Sequence, residues 1–189
     1  KKYIFRVCFI DPFQGEMAAK YAYETLKKRK AALIIDKAQD YCVGLADFFE
    51  KSFTKLGGQI VAKTYCQTGD KDFTAQLSAI KAKNPDVLYM PNYYTEVALA
   101  MKQAKDLGLN LPVLSGDGAQ DKALIDIGKQ YVEGLMLTGH FEKAAANTDL
   151  AKKFIPLYEK KFGKVGTFDV MGADAYFVLA DAIERAKST

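Results

Sequence analysis

Apolar runs and amphipathic stripes alternate along the first three-quarters of the chain. Residues 4–10 (IFRVCFI) are a short apolar run and predict a first strand. Residues 14–29 carry Met17, Ala18, Tyr21, Ala22 and Leu26 at helical spacing. Residues 31–35 (AALII) are continuously apolar, as in a strand covered on both faces. A helix over 42–56 sets Leu45, Phe49, Phe53 and Leu56 on one stripe before Gly57 and Gly58 stop it. The same alternation continues with a strand at 59–65, a helix at 72–83, a strand at 86–90 and a helix at 95–107. A strand at 111–114, a short helix near 121–127 and a sixth strand at 132–138 complete it.

Strands alternating with helices imply right-handed βαβ crossovers, hence an α/β fold with a doubly wound parallel sheet. The pattern changes after residue 140. Residues 148–162 and 171–187 predict two long amphipathic helices with no strand after either. A sheet wrapped on both faces has little room for them. The expected organisation is therefore a first lobe over residues 1–140, and a crossover with two helices over 141–189 belonging to a second lobe, most of it outside this sequence.

Composition narrows the function classes. The 189 residues hold no run of about 18 apolar residues, so no membrane insertion of this segment is expected. Lys1-Lys2 leads straight into Tyr3-Ile4-Phe5 with no signal-peptide core between them. The net charge is +4 with both signs interspersed, and the densest basic run, Lys27-Lys28-Arg29-Lys30, closes a predicted helix where cations suit the dipole. Nucleic acid is accordingly not an expected partner. Cys8, Cys42 and Cys66 are widely spaced beside a single histidine, His140, which is too few ligands for a zinc site. Cys8 reads as a core residue of the first strand. A Cys42–Cys66 disulfide stays open, as does activation of Cys42 near a helix N-terminus.

In an open parallel sheet, ligands bind beyond the carboxyl ends of the strands, at the point where strand order reverses. That rule selects Asp11-Pro12-Phe13-Gln14-Gly15, Asp36 to Tyr41, Thr68 to Asp72, Pro91 to Tyr94, and Ser115-Gly116-Asp117-Gly118. Carboxylates suit an ammonium group, and tyrosines offer apolar area with a polar tip. A small zwitterion with an apolar side chain would fit such an edge. Asp36, Asp40, Asp70 and Asp72 also read as helix N-caps, and Tyr93-Tyr94 as simple packing. Asp117 differs, because Gly116 and Gly118 allow close backbone approach and positive φ around it.

Enzyme and cofactor signatures are lacking. No GxGxxG, GxxxxGK[ST] or GxSxG is present, and Asp-Pro-Phe-Gln after the first strand lacks the hydroxyls a flavin phosphate would want. No cofactor and no metal are expected, and no enzymatic activity.

Four stretches in order, FRVCFIDPFQGEMAAKYAYETL, AALIIDKAQDYCVGLADFFEKSF, GDKDFTAQLSAIKAKNPDVLYMPNYYTE and SGDGAQDKALIDIG, resemble the leucine/isoleucine/valine-binding protein family of ABC importers. The likeness covers about residues 4–186. It implies one lobe of a type I periplasmic binding protein, in which two Rossmann-like lobes close on an amino acid by a hinge motion. It places the ammonium-binding acidic residue on Asp117, aromatic contacts on Tyr41 and Tyr93, and a cleft-edge aspartate on Asp11. Leucine-type members often carry Glu where Asp117 stands and a bulkier residue at Ala173, which leaves the choice of amino acid open. The implied partners are a small-molecule amino acid and a membrane permease. The implied location is the periplasm or outer face of the membrane, with the signal sequence outside this chain. A ligand-sensing receptor or amide-responsive regulatory domain of the same fold is the alternative.

Overall fold

The computed structural model describes residues 3–187, which fall into two compact units. One comprises Ile10–Thr138; the other joins the residues up to Phe9 to those from Gly139 onward. The boundary expected after residue 140 thus lies two residues earlier, and the opening stretch groups with the far end of the chain.

The first unit is a five-stranded, all-parallel sheet: β1 Lys30–Asp36, β2 Gln59–Cys66, β3 Val87–Tyr89, β4 Val113–Ser115 and β5 Met136–Leu137. Its order is β2-β1-β3-β4-β5. Helix α1 Asp11–Lys20 leads into β1, and α2 Asp40–Lys55, α3 Thr74–Lys81, α4 Tyr94–Asp106 and α5 Lys122–Gly128 connect the strands. Strand β1 explains the two-sided winding. Ala31, Leu33 and Ile35 point to one apolar layer with Ala18, Ala19, Ala46, Phe49 and Phe53, while Ala32 and Ile34 point to the other with Leu77, Ile80, Val97 and Met101. Each face of a period-two strand needs its own cover.

Close helix contact on the first of these layers depends on Gly15, which lets α1 lie directly on α2. A Cβ there would stand 2.6 Å from Cβ of Phe48 and 2.9 Å from the Phe49 backbone nitrogen. Below it, Phe49 stacks on Tyr89 with ring centroids 4.1 Å apart. The basic run 27–30 lies in the turn before β1 and enters its first residue. There the Arg29 guanidinium sits 3.8 Å over the Tyr23 ring and donates to the Tyr23 carbonyl, and Asp86 accepts from the backbone N–H of Arg29 and Lys30.

The expected strand at 4–10 does not form. Ile4 and Phe5 are exposed, and β1, paired on one side with β2 and on the other with β3, already holds the sheet interior. An apolar run satisfies other surroundings equally well: Phe9 stacks on His140 at 3.7 Å, within the other unit. Cys8 is therefore half-buried in irregular chain rather than in a sheet core. The sixth expected strand shrinks to the two residues of β5 at the sheet edge.

The other unit holds α6 Asp149–Phe162 and α7 Thr167–Ala186. Thr148 caps α6 by accepting from the Ala151 N–H at 3.1 Å. Phe154 meets Phe177 edge-on across the pair, and Ile155 and Val165 are buried. Leu157, Phe168, Tyr176 and Leu179 remain largely exposed. Among the described residues, no helix is long and apolar enough to cross a membrane.

Candidate functional site

The chain reverses its direction across the sheet between β1 and β3, which are direct neighbours. The loops leaving those two strands flank a crevice at their carboxyl ends. Tyr41 stands in the first turn of α2, after β1; Tyr93 immediately precedes α4, after β3; Asp117 follows β4 in a single 3₁₀ turn. These three expected residues meet. The Tyr41 hydroxyl donates to Oδ1 of Asp117 at 2.8 Å and accepts from the Gly118 N–H at 3.0 Å. The rings of Tyr41 and Tyr93 lie side by side with centroids 5.5 Å apart. Tyr93 is 39% exposed, so its face is open at the surface of this unit.

Gln14 completes the arrangement, and sequence alone does not single it out. It is 2% exposed, yet its carboxamide spans 103 positions to reach Asp117. Its Nε2 donates to Asp117 Oδ1 at 2.9 Å, and its Oε1 accepts from the Asp117 N–H at 2.8 Å. The Thr138 hydroxyl donates to the same Oε1. A carboxylate needs a donor and a backbone N–H needs an acceptor, so these partners fix which way the amide faces. The usable signal is its helical position three residues after Asp11, one step before the glycine that seats α1 on α2.

The glycines around Asp117 serve close approach alone. Gly116 has φ −99°, and neither it nor Gly118 has the positive φ expected from sequence. A Cβ on Gly116 would collide with the Tyr41 hydroxyl and come within 2.9 Å of Gln14 Oε1; one on Gly118 would stand 3.1 Å from both tyrosine rings. Ser115 anchors the loop from below by donating to the Met90 carbonyl at 2.8 Å.

Asp11 is the first residue of α1 rather than a strand end, half-buried, and its negative charge reaches Tyr89 and Tyr93. Burial, and then the charge of Asp117, holds the Tyr41 phenol far above its ordinary pKa, so Tyr41 is a proton donor at every physiological pH. Burial likewise raises Tyr89, whose hydroxyl lies fully inside the unit near Asp117. Ala173 lies in the other unit, on the wall of a cavity of about 240 Å³ with Phe154, Val170 and Phe177.

The remaining carboxylates hold loops and helix starts. Asp72 caps the start of α3 through the Thr74 N–H, and Asp40 sits in the first turn of α2. Asp36 instead ties two loops together, accepting from the Ala38 N–H after β1 and from the Thr68 hydroxyl after β2, and Asp70 accepts from the Gln67 N–H. Cys42 and Cys66 are buried free thiols, both pushed up to about 12 by burial first and by neighbouring negative charge. The activation considered for Cys42 is thereby reversed, and the two form no disulfide. Among the described residues, no group of three or more His, Cys, Asp or Glu side chains is placed to hold a metal ion.

A sheet with this strand order, and a polar cluster at its switch point, defines an α/β ligand-binding fold. The family model of the periplasmic binding proteins matches residues 1–189, and the chain belongs to that family. It is 33% identical to a Leu/Ile/Val-binding protein homologue of Brucella melitensis over 98% of its own length. The chain spans about half the length of the curated relatives it matches. Among solved structures it superposes on a leucine-binding protein, LivK, from Thermotoga maritima with TM-score 0.94 and 47% identity, covering 100% of this chain and 54% of that one. It also superposes on the branched-chain amino acid transporter substrate-binding protein LivJ from Streptococcus pneumoniae, solved in complex with isoleucine, with TM-score 0.87 and 30% identity over 96% and 52% of the two chains.

Proposed function

We propose that the protein carrying this chain is the extracytoplasmic solute-binding component of an ABC importer, and that it binds an amino acid, branched-chain or similar, at the carboxyl end of this sheet. The observation that carries the reading is the Asp117 carboxylate, held on a glycine-flanked turn beside the paired rings of Tyr41 and Tyr93. A ligand ammonium leaving water needs a compensating carboxylate, and Asp117 is its acceptor. Tyr41 and Tyr93 wall the ligand's apolar side chain, and Asp11 adds negative potential at the margin. The relatives are named as binding proteins, which supports binding as the work of the site. The transporter named for the LivJ relative supports an importer partner in the membrane, and the family's name, periplasmic binding protein, supports a place on its outer side.

Titration of L-leucine, L-isoleucine and L-valine into the full-length protein tests this. Asp117→Asn keeps an oxygen for Tyr41 and Gln14 but removes the charge. It is expected to weaken the best of these ligands about a hundredfold or more, the scale of unpairing a desolvated charge, while the melting temperature of the unliganded protein barely moves. Asp117→Ala is the poorer probe, because it also strips the buried Gln14 amide of its acceptor. Undiminished affinity in Asp117→Asn, or no binding of any of the three by the unaltered protein, removes the reading.

A further inference from the structure

We propose that Gln14 is a positioning residue for ligand binding: its buried carboxamide fixes both the Asp117 carboxylate and the backbone that carries it in the geometry that receives an ammonium group. The inference rests on Asp117 being the ammonium acceptor. Gln14 is one of the few polar side chains enclosed in the sheet unit, at 2% exposure. A primary amide is costly to bury unless bonded. Both of its ends are spent on one residue: the nitrogen on the Asp117 carboxylate, the oxygen on the Asp117 N–H. A side chain that merely fastened α1 to the sheet could bond any strand carbonyl. This one grips the turn at its charged residue, from the side chain and from the main chain together.

The neutrality of the grip matters. A lysine or arginine at this place would cancel the charge that a cationic ligand group needs. A carboxamide and a phenol donate hydrogen bonds to Oδ1 and leave the negative charge in place. Rigidity is supplied from beneath. Gly15 seats α1 against the Phe48–Phe49 backbone with no slack, so the neighbouring Gln14 cannot slide along the helix axis. The Thr138 hydroxyl, at the end of the β5 segment, fixes the amide oxygen from a third side. Holding a charged group in its bound place before the ligand arrives lowers the ordering cost of binding.

A double-mutant cycle in the full-length protein separates this role from packing. L-Leucine is the probe, and Gln14→Leu, Asp117→Asn and their combination are titrated to millimolar ligand. Gln14→Leu alone is expected to weaken leucine binding about tenfold to thirtyfold, the scale of a hydrogen bond to a charged group. In the Asp117→Asn background the same change is expected to cost less than about threefold, since no charge remains to be placed. The unliganded melting temperature of each variant is recorded beside its affinity, so that a loss of stability is read apart from a loss of binding. Equal affinity losses in both backgrounds would reduce Gln14 to a packing residue and overturn the proposal. Should Gln14→Leu fail to fold, Gln14→Asn enters the same cycle: it keeps the polar groups but withdraws them by one methylene, with the same expectation. Full affinity in Gln14→Leu beside a large loss in Asp117→Asn defeats the positioning role alone. Full affinity in Asp117→Asn defeats the ammonium reading itself, and the positioning role with it.

Discussion

Two polar clusters lie at the carboxyl end of the same sheet, and they are built to opposite ends. Around β1 and β2, Asp36 at 2% exposure and Glu96 at 5% tie loops to one another: Asp36 accepts from the Ala38 N–H and from Thr68 after β2, and Glu96 on α4 accepts from the Gly69 N–H at 2.9 Å. The buried Asn92 donates to the Cys66 sulfur between them. Around β4, the half-buried Asp117 is gripped by residues from α1 and α2, and stands beside an exposed tyrosine ring. The first cluster uses its carboxylates to close loops. The second uses loops and helices to hold up a carboxylate. Sequence gives both the same appearance, aspartates after strands; burial, and whether the carboxylate holds the loops or is held by its surroundings, tell them apart.

The largest effect expected comes from removing the space that the second cluster depends on. Gly116→Ala drives a methyl group into the Tyr41 hydroxyl and Gln14. Overpacking of this kind costs about 1–3 kcal/mol in stability. Because the displaced groups are those that hold Asp117, leucine affinity is expected to fall more than about a hundredfold. Calorimetric titration and thermal melts measure the two losses. A stable variant that binds normally would show that the turn tolerates what the geometry says it cannot.

Asp36→Ala should do the reverse. It leaves the Ala38 N–H and the Thr68 hydroxyl without their acceptor, at a cost of about 1–3 kcal/mol. Ligand affinity is expected to stay within about threefold, because Tyr41, just beyond this loop, is held by its own bonds to Asp117 and the Gly118 N–H. Urea unfolding and leucine titration on the same preparation check the split. A loss of affinity comparable to that of Asp117→Asn would merge the two clusters into one site.

The division between what sequence shows and what it hides runs along the same line. Helix stripes such as Leu45–Phe49–Phe53, and doubly buried runs such as Ala31–Ile35, are local signals, and both elements form where periodicity places them. The run at 4–10 has the same local signal as a strand, but pairing depends on where the rest of the chain places the run, and that is not written in the run itself. Tyr41, Tyr93 and Asp117 are legible because the switch-point rule needs only strand ends. Gln14 lies in a selected stretch but is not singled out there: its importance depends on a contact across 103 positions, and one turn into a helix it looks like any polar surface residue. Asp36 reads as a cap in sequence because an Asx turn and an N-cap share the same residue type.

Tyr93 sharpens the comparison on the apolar side. Its ring is 39% exposed and packs on Tyr41 rather than in the sheet core. Tyr93→Ala is therefore expected to leave the unliganded melting temperature within about 1 °C, a surface-scale change. It should weaken leucine binding about tenfold and alanine binding by less, since only the larger side chain reaches the wall. Equal losses for leucine and alanine would take Tyr93 out of the side-chain pocket.

The smallest effect concerns the thiols of the closed cluster. Cys42 and Cys66 are buried, and burial raises both thiols from their ordinary value to about 12. The thiolate is the reactive form, so at a pH of about 8 both are protonated as well as enclosed. A thiol reagent such as Ellman's is expected to modify at most one of the three cysteines in the native chain, the half-buried Cys8, and all three after denaturation. The same shift has a sign for stability. The folded values lie above the unfolded ones, so the contribution is complete below about pH 9 and declines as pH rises from there through about 12. Cys42→Ala and Cys66→Ala should each flatten that alkaline decline without altering leucine affinity at neutral pH. Rapid native labelling of Cys42 at a pH of about 8 would place it in an open, charged environment and contradict the closed cluster that distinguishes this end of the sheet from the Asp117 turn.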